Sequence, residues 1–406
     1  MASTEDKLPA RYWRLWWAGA IDNVGNGALV TALPLLAVTL TADPRLISVV
    51  AAASFVPWLL FALPAGAVVD RYSRIGLMRA AQLVQAVVVM ALAALVASGV
   101  VDVVSLMMAA FLVGVCQVVF GIASQSVMPE IVEYRLLARA NARQYLATTV
   151  GQSFVGPPVG SLLFGLAIAL PFGLDAAALV TSALLLTRLR GAAPPRGAVQ
   201  RAGPAVLEGL RWLVGHRLLR TLALLLGVNT FCFQLGNVTL VLLATQELGV
   251  TAAGYGVLLA VAAVGSVLGG LLTAPLVDVF GQIPVLVVAL GVNAVVFVFL
   301  GLSPDVWTLG ALLALSGLVT AAWNVVTVTL RQELVPPGLL GRVNSVYRLL
   351  GWGLIPLGAL AGGLIAYEIS NRAGYPIAGV LRGIALLISL PILMRAYRQG
   401  LGPPAS

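Results

Sequence analysis

PEIVEYRLLARANA, residues 129 to 142, and QELVPPGLLGRVNS, residues 332 to 345, align without a gap at an offset of 203. Glu130 falls on Glu333, Leu137 on Leu340, Arg139 on Arg342 and Asn141 on Asn344. A second pair, LPAGAVVDRYSR ending at Arg74 and LTAPLVDVFGQ ending at Gln282, sets Asp70 on Asp278 at nearly the same offset. Two matches between polar loops, each at the same place in its half of the chain, imply a duplicated unit.

Around these loops the chain is apolar. Of its 406 residues 60% are hydrophobic and 10% charged, a balance that fits a polytopic membrane protein and no soluble class. Windows of roughly 18 to 25 apolar residues can cross a hydrocarbon core of about 30 Å. They recur near 13–40, 46–69, 76–99, 103–127, 142–168 and 171–190, then near 217–246, 252–277, 283–302, 306–330, 342–367 and 375–395. The expected fold is all-α: twelve transmembrane helices in two pseudo-symmetric six-helix bundles, residues 1–190 and 216–406, joined by a linker at 191–215 rich in proline and arginine. Gly265 and Gly269 have the four-residue spacing that lets membrane helices approach closely. Glu5 and Asp6 beside Lys7, before a long apolar stretch, argue against a cleaved signal. Cys116 and Cys232 stand singly in apolar spans and read as small buried hydrophobes, so no disulfide is expected.

The net charge of +9 is a matter of topology. Of 24 basic residues, 21 fall on one side of the predicted membrane, and only Arg45, Arg372 and Arg382 on the other. The positive-inside rule makes the crowded side cytoplasmic, with both termini there. The expected location is the cell membrane, crossed many times, and no nucleic-acid partner is expected.

GAVVDRYSR at 66 to 74 resembles the loop between helices 2 and 3 of the major facilitator superfamily, with Ser73 where glycine is usual. VGPPVGSLLFG at 155 to 165 is similar to the glycine-proline motif of drug/proton antiporters in that superfamily. The duplicated Arg-x-Asn loop and LDAAALVTSALLL at 174 to 186 resemble its twelve-helix drug exporters, which include macrolide and enterobactin efflux proteins. The fourth span, AAFLVGVCQVVFG, lacks the arginine that many proton-coupled exporters carry there.

The resemblance implies a cytoplasmic gate of Gly66, Asp70, Arg71 and Arg74, with Asp278, Arg139 and Arg342. In it Asp70 faces the helix start near Pro337 and Gly338, where the positive end of the dipole favours a carboxylate, and Arg342 adds an ion pair. Val279 and Gln282 replace Arg71 and Arg74 in the second copy, which is therefore the poorer latch. A topogenic loop with no switching role is the plainer alternative. Gly156, Pro157, Pro158 and Gly160 are expected to bend the fifth span, since proline removes a backbone donor, or to serve plain packing.

AGAIDNVGNGALV at 18 to 30 puts Asp22, Asn23 and Asn26 in the first span. A carboxylate within a membrane helix costs roughly 2.5 to 3.5 kcal/mol at the centre and reads as functional by default. Asp22 and Asp175 are the candidates for proton coupling, with structural hydrogen bonding as the alternative. Measured from Trp17, Asp22 falls in the inner third of the membrane, and Asp175, four residues after Pro171, in the outer third of the sixth span. Arg143, Arg348 and Arg382 are placed nearer helix ends, and His216, the single histidine, in the linker region. Asn26, Asn229, Gln234, Asn237 and Trp323 are the candidate cavity residues. Trp58, Phe231 and Phe233 are further aromatics able to stack on a substrate, and for each of them and for Trp323 core or lipid packing is the simpler reading.

An apolar, amide-lined cavity suits an amphipathic, even cationic, organic molecule. The expected function is secondary active export of a hydrophobic or amphipathic compound by proton antiport with alternating access. A desolvated carboxylate exchanges the proton and the gradient supplies the energy, without any cofactor. The expected partners are substrate, protons and membrane lipid, and the expected state is a monomer. A lysolipid flippase or importer of the same fold, and a transport-inactive sensor or scaffold, are the alternatives. ATP-driven transport is excluded within the chain because a P-loop needs Gly-Lys-Ser/Thr and Lys7 is the sole lysine. One histidine and two separated cysteines make no zinc site, and no nucleophile and base pattern suggests an enzyme.

Overall fold

The computed structural model describes residues 8–133, 136–189 and 202–399. Chain order is α1 (Ala10–Leu40), α2 (Pro44–Arg71), α3 (Arg74–Ala97), α4 (Val103–Ile131), α5 (Leu137–Thr148), a π-helical segment (Thr149–Val155), α6 (Gly156–Leu166) and α7 (Leu170–Thr187). There follow α8 (Ala202–Gly215), α9 (Arg217–Asn237), α10 (Leu240–Leu242), a second π segment (Leu243–Glu247), α11 (Ala252–Phe280), α12 (Gln282–Gly301), α13 (Val306–Leu334), α14 (Pro337–Gly353), α15 (Ile355–Glu368) and α16 (Gly374–Arg398). Among the described residues, eleven helical stretches are long and apolar enough to cross a membrane. The remaining expected span, near 142–168, is a composite of α5, the π segment and α6.

The chain divides into two compact units. The first holds residues up to 41, 53–202 and 251–257; the second holds 42–52, 203–250 and the remainder from 258. Within the first, α1 packs on α7 and α6, α3 on α7, and α3 on α4. Within the second, α9 packs on α16 and α15, α12 on α16, and α12 on α13. First helix on sixth and fifth, third on sixth, and third on fourth: the pairing scheme is the same in both units, so the duplication extends from loops to packing.

Smaller contacts repeat it. Arg74 pairs with Glu130 in the first unit, and Gln282 donates to Glu333 at 3.1 Å in the second. The amide thus stands where the arginine does, against the duplicated glutamate. Tyr12 in α1 donates to the Ala140 carbonyl in α5, and Tyr347 in α14 donates to the Leu219 carbonyl in α9. Each bond ties the first helix of a unit to its fifth. Tyr12, Met78, Val127 and Leu186 help form the apolar core at that end of the first unit. Leu222, Leu286, Trp323 and Tyr347 belong to its counterpart in the second.

The opposite helix ends carry a repeated cap. The Asp102 side chain accepts from the Ser105 amide at the start of α4, and that of Asp305 accepts from the Thr308 amide at the start of α13. Both residues of the second pair lie 203 positions after those of the first. The Ser105 side-chain bond holds the Asp102 carboxyl below the usual carboxylate range, and the Thr308 backbone bond does the same for Asp305. A carboxyl lowered in the folded state stabilises above its unfolded value, about 3.9, and that contribution fades as pH falls toward the folded value. Asp305→Ala should therefore lower the melting temperature of detergent-solubilised protein at neutral pH, with the deficit narrowing below about pH 4. A deficit that is constant with pH would show that the carboxylate charge plays no part.

The second part of the linker is not a loop. α8 docks on the second unit: an added Cβ at Gly209 would lie 2.6 Å from the Arg342 carbonyl oxygen, and Leu213 enters the core. Trp212 stacks on His216, whose side chain accepts from the Leu219 amide and caps α9. His216 is thus a helix cap. Linker residues 191–201 lie outside the described residues.

Candidate functional site

α1 is built to be gripped from two sides. Gly25 and Gly27 stand two residues apart, roughly 200° around the helix, and each clears a path for a different neighbour. A Cβ at Gly25 would lie 2.6 Å from Asp175 Oδ1 and 2.9 Å from Ala178 Cβ, both on α7. A Cβ at Gly27 would lie 2.6 Å from the Gln152 carbonyl and 2.9 Å from Gly156 Cα. Gly151 and Gly160 approach Asn23 and Ala28 just as closely.

The helix-bend motif therefore has a packing role that the structure makes explicit. Pro157 and Pro158 supply no N–H to the turn before them, and there the helix widens to π register, with the Gly156 amide bonded to the Gly151 carbonyl. Gly156 and Gly160 then lay α6 against the backbone of α1. Gly265 and Gly269 make a similar close crossing in the second unit, against the Ala314 and Leu318 carbonyls of α13.

Between α1, α3 and α7 lies a buried polar seam. Gln82 Nε2 donates to Ser182 Oγ at 2.6 Å, and Ser182 Oγ donates to the Ala18 carbonyl at 2.8 Å. The Asp22 carboxylate lies beside Gln82 and close enough to Asp175 to act on it electrostatically. Asp175 is 0% exposed, and neither of its oxygens has a hydrogen-bond partner. Gln85, one turn from Gln82, is also buried. Among the described residues neither aspartate enters a salt bridge.

This corrects the expected depths. Asp22 and Asp175 are neighbours, not an inner-third and an outer-third residue. α7 is only 18 residues long, so Asp175 lies roughly 7 to 8 Å from its start. α1 runs roughly 22 Å beyond Gly25, the residue facing Asp175. The sixth span begins well below the end of the first, whereas the sequence reading let every span fill the same thickness.

Other candidates fall in different settings. Asn26 accepts from Gln117 Nε2 at 3.2 Å, and Asn23 donates to Thr148 Oγ1 at 3.2 Å. Asn229 and Asn237 are half-buried. Gln234 is buried where Gly358 packs on it. Trp323 takes the packing alternative and not the cavity role: it is 5% exposed inside the second unit's core, among Leu222, Leu286 and Leu330.

At the arginine-rich loops, Arg74 pairs with Glu130 and donates to the Ser126 carbonyl. Arg342, expected opposite Asp70, pairs with Glu208 of α8. Arg71, Arg139 and Asp278 are exposed, and at Gly66 an added Cβ would meet no atom within 4 Å. The side chain of Asp70 and those of Pro337 and Gly338 lie outside the described residues.

Arg382, expected near a helix end, lies inside α16. It sits about 12 Å into α16 and is 6% exposed. Nη1 donates to Asn293 Oδ1, Nη2 donates to the Asn229 carbonyl at 2.9 Å, and Cζ lies 3.7 Å from the Phe297 ring centroid. Asn293 in turn donates to Thr320 Oγ1 at 2.9 Å. The helices involved, α9, α12 and α16, are the counterparts of α1, α3 and α7. Each unit thus sets ionisable groups at the same junction, the half-buried Asp22 and buried Asp175 in the first and a guanidinium in the second. Asn26 and Asn229 mark it in sequence, 203 residues apart. The sequence held a signal for Arg382 in its position seven residues beyond Tyr375 within an apolar span.

The comparisons with known proteins agree with this architecture. The family model of the transmembrane secretion effectors matches residues 9–400. Enterobactin exporters of Escherichia coli O1:K1 and of Shigella boydii serotype 18 are 28% identical over 277 residues, 67% of this chain. The match spans 65% of the exporters' own length, a little under two thirds. The solved nucleoside transporter NupG superposes with a TM-score of 0.71 at 14% identity, covering 96% of this chain and 99% of that one. A bacterial homologue of the iron transporter ferroportin, inward-facing, gives 0.73 at 14% identity, covering 94% and 99%. The chain is a multi-pass membrane transporter of the major facilitator type and belongs to the transmembrane secretion effector family.

Proposed function

We propose that this transporter exports an amphipathic small molecule in exchange for protons, by alternating access. In this reading the composite of α5, the π segment and α6 is the fifth of twelve spans, and the arginine-rich loops and both termini are cytoplasmic. The six-helix halves, residues 1–190 and 216–406, work as one monomer with no cofactor. Export of enterobactin, named for the relatives, supports efflux of a small molecule.

The observation that carries the coupling is Asp175, buried without a donor beside a second carboxylate. A lasting charge there is costly. Taking up or releasing a proton creates or removes a full charge in a shell that, among the described residues, supplies no salt-bridge partner. Such a group is able to bias one conformation over another.

The test is transport in proteoliposomes under an imposed pH gradient, with a panel of amphipathic compounds. At least one should accumulate with the gradient and stop when a protonophore dissipates it. Movement of labelled lysolipid alone would replace this reading with a lipid carrier. No movement of any compound would replace it with a sensor or scaffold.

A further inference from the structure

The geometry points to Arg382 as the recognition point for an acidic group, a carboxylate or sulfonate, on the molecule that is transported. This rests on the transport reading and narrows its substrate class from amphipathic compounds in general to amphipathic acids.

The argument starts from what surrounds the guanidinium. Its acceptors are an amide oxygen and a backbone carbonyl, beneath it lies an aromatic face, and the Cys232 thiol and the Tyr375 hydroxyl stand beside it. All are neutral. They orient a positive charge without cancelling it, and a buried charge normally has an ionic partner. Among the described residues Arg382 has no salt bridge. α9, α12 and α16 carry no aspartate or glutamate at all.

The site is also held in place. The Asn293 amide donates to Thr320, which fixes its oxygen toward Arg382. Phe297, 2% exposed, occupies one face of the guanidinium by a cation–π contact. A further oxygen would therefore meet the guanidinium at an edge of its plane. Two of the five N–H donors are spent on the bonds above, and Nε has no partner. An edge with an unmet donor is the arrangement that accepts two oxygens side by side, which arginine does and lysine does not. A purely structural link between three helices needs only the hydrogen bonds, which a neutral side chain would supply without the charge.

The test compares matched aryl probes on purified full-length protein. 2-Naphthoate, 4-biphenylcarboxylate and 2-naphthalenesulfonate are measured against the corresponding neutral amides by equilibrium binding. At least one acid should bind about tenfold or more tighter than its amide, the effect of one charged hydrogen bond. Arg382→Gln should bring that ratio close to one while the amide's affinity stays nearly constant. Arg382→Lys keeps the charge and should retain part of the preference. It serves alone if the glutamine variant does not fold.

Equal binding of all three acids and their amides to the wild type would overturn the assignment, as would a preference that Arg382→Gln leaves intact. The two readings fail separately. Gradient-driven transport of neutral or cationic compounds only, untouched by Arg382→Gln, would remove the acid site and leave the exporter. An acid preference without gradient-driven transport would do the reverse.

Discussion

Asparagine at position 175 should reduce gradient-driven transport to background while leaving exchange of substrate at zero gradient close to wild type. The reasoning turns on what the side chain does not touch. Both oxygens of Asp175 lack hydrogen-bond partners, and the residue is fully buried against Gly25. Asparagine has nearly the same shape, so packing on α1 is conserved. No hydrogen bond is lost, and the stability change should stay within about 1 kcal/mol. A large functional loss with an unaltered melting temperature then isolates the proton as the missing element. Asp22→Asn should be milder, impairing coupling more than substrate affinity, because Gln82 still has an oxygen to reach. If the two carboxylates act as one proton site, Asp22→Asn added to Asp175→Asn should cost nothing further, the non-additivity expected of residues in contact. Transport that follows the pH gradient in Asp175→Asn would refute proton coupling at this pair.

Why the sequence reached some of this and not the rest has a physical answer. Spans and duplication are written in one dimension: apolar run length, loop charge, and residues recurring at a fixed offset. Asp22 and Asp175 were identifiable on that basis, because a carboxylate in an apolar run is anomalous wherever it sits. Their adjacency was not, because it depends on how far α7 is recessed beside the longer α1. Arg382 counts among the ionisable groups of the spans but is set too near a helix end, because counting charges by side draws an arginine toward the loops. For Trp323 the sequence leaves core packing and a cavity role both open, because nothing in its neighbours along the chain distinguishes a ring in a core from one facing a cavity. The repeated caps at Asp102 and Asp305 are no part of the sequence reading, although aspartate three residues before serine or threonine recurs there at the offset of 203.

Leucine at Gly156 should prevent the protein from accumulating in folded form, and even alanine there should be strongly destabilising. A Cβ at this position would lie 2.5 Å from Gly27 Cα and 2.8 Å from its carbonyl carbon. The obstacle is backbone, so no side chain can rotate away, and α1 and α6 would have to separate. Overpacking of a flexible core costs about 1 to 3 kcal/mol, and a backbone obstacle places this case at or above the upper end. The consequence would extend beyond α6, because α1 is held between that helix and α7. Pushed from the Gly27 side, it would press Gly25 into Asp175, whose Oδ1 already stands 2.6 Å from where a Cβ would be. Packing at the glycine-proline motif is thereby coupled to the buried acid. The control lies in the same helix: a Cβ at Gly165 would meet nothing within 4 Å. Gly165→Ala should be neutral or stabilising by up to about 1 kcal/mol, from helix propensity alone. Melting temperatures of the detergent-solubilised variants, followed by size-exclusion chromatography, separate the cases. Equal behaviour of Gly156→Ala and Gly165→Ala would mean that the crossing of α1 and α6 is looser than these distances require, and that the motif does not hold the acid in place.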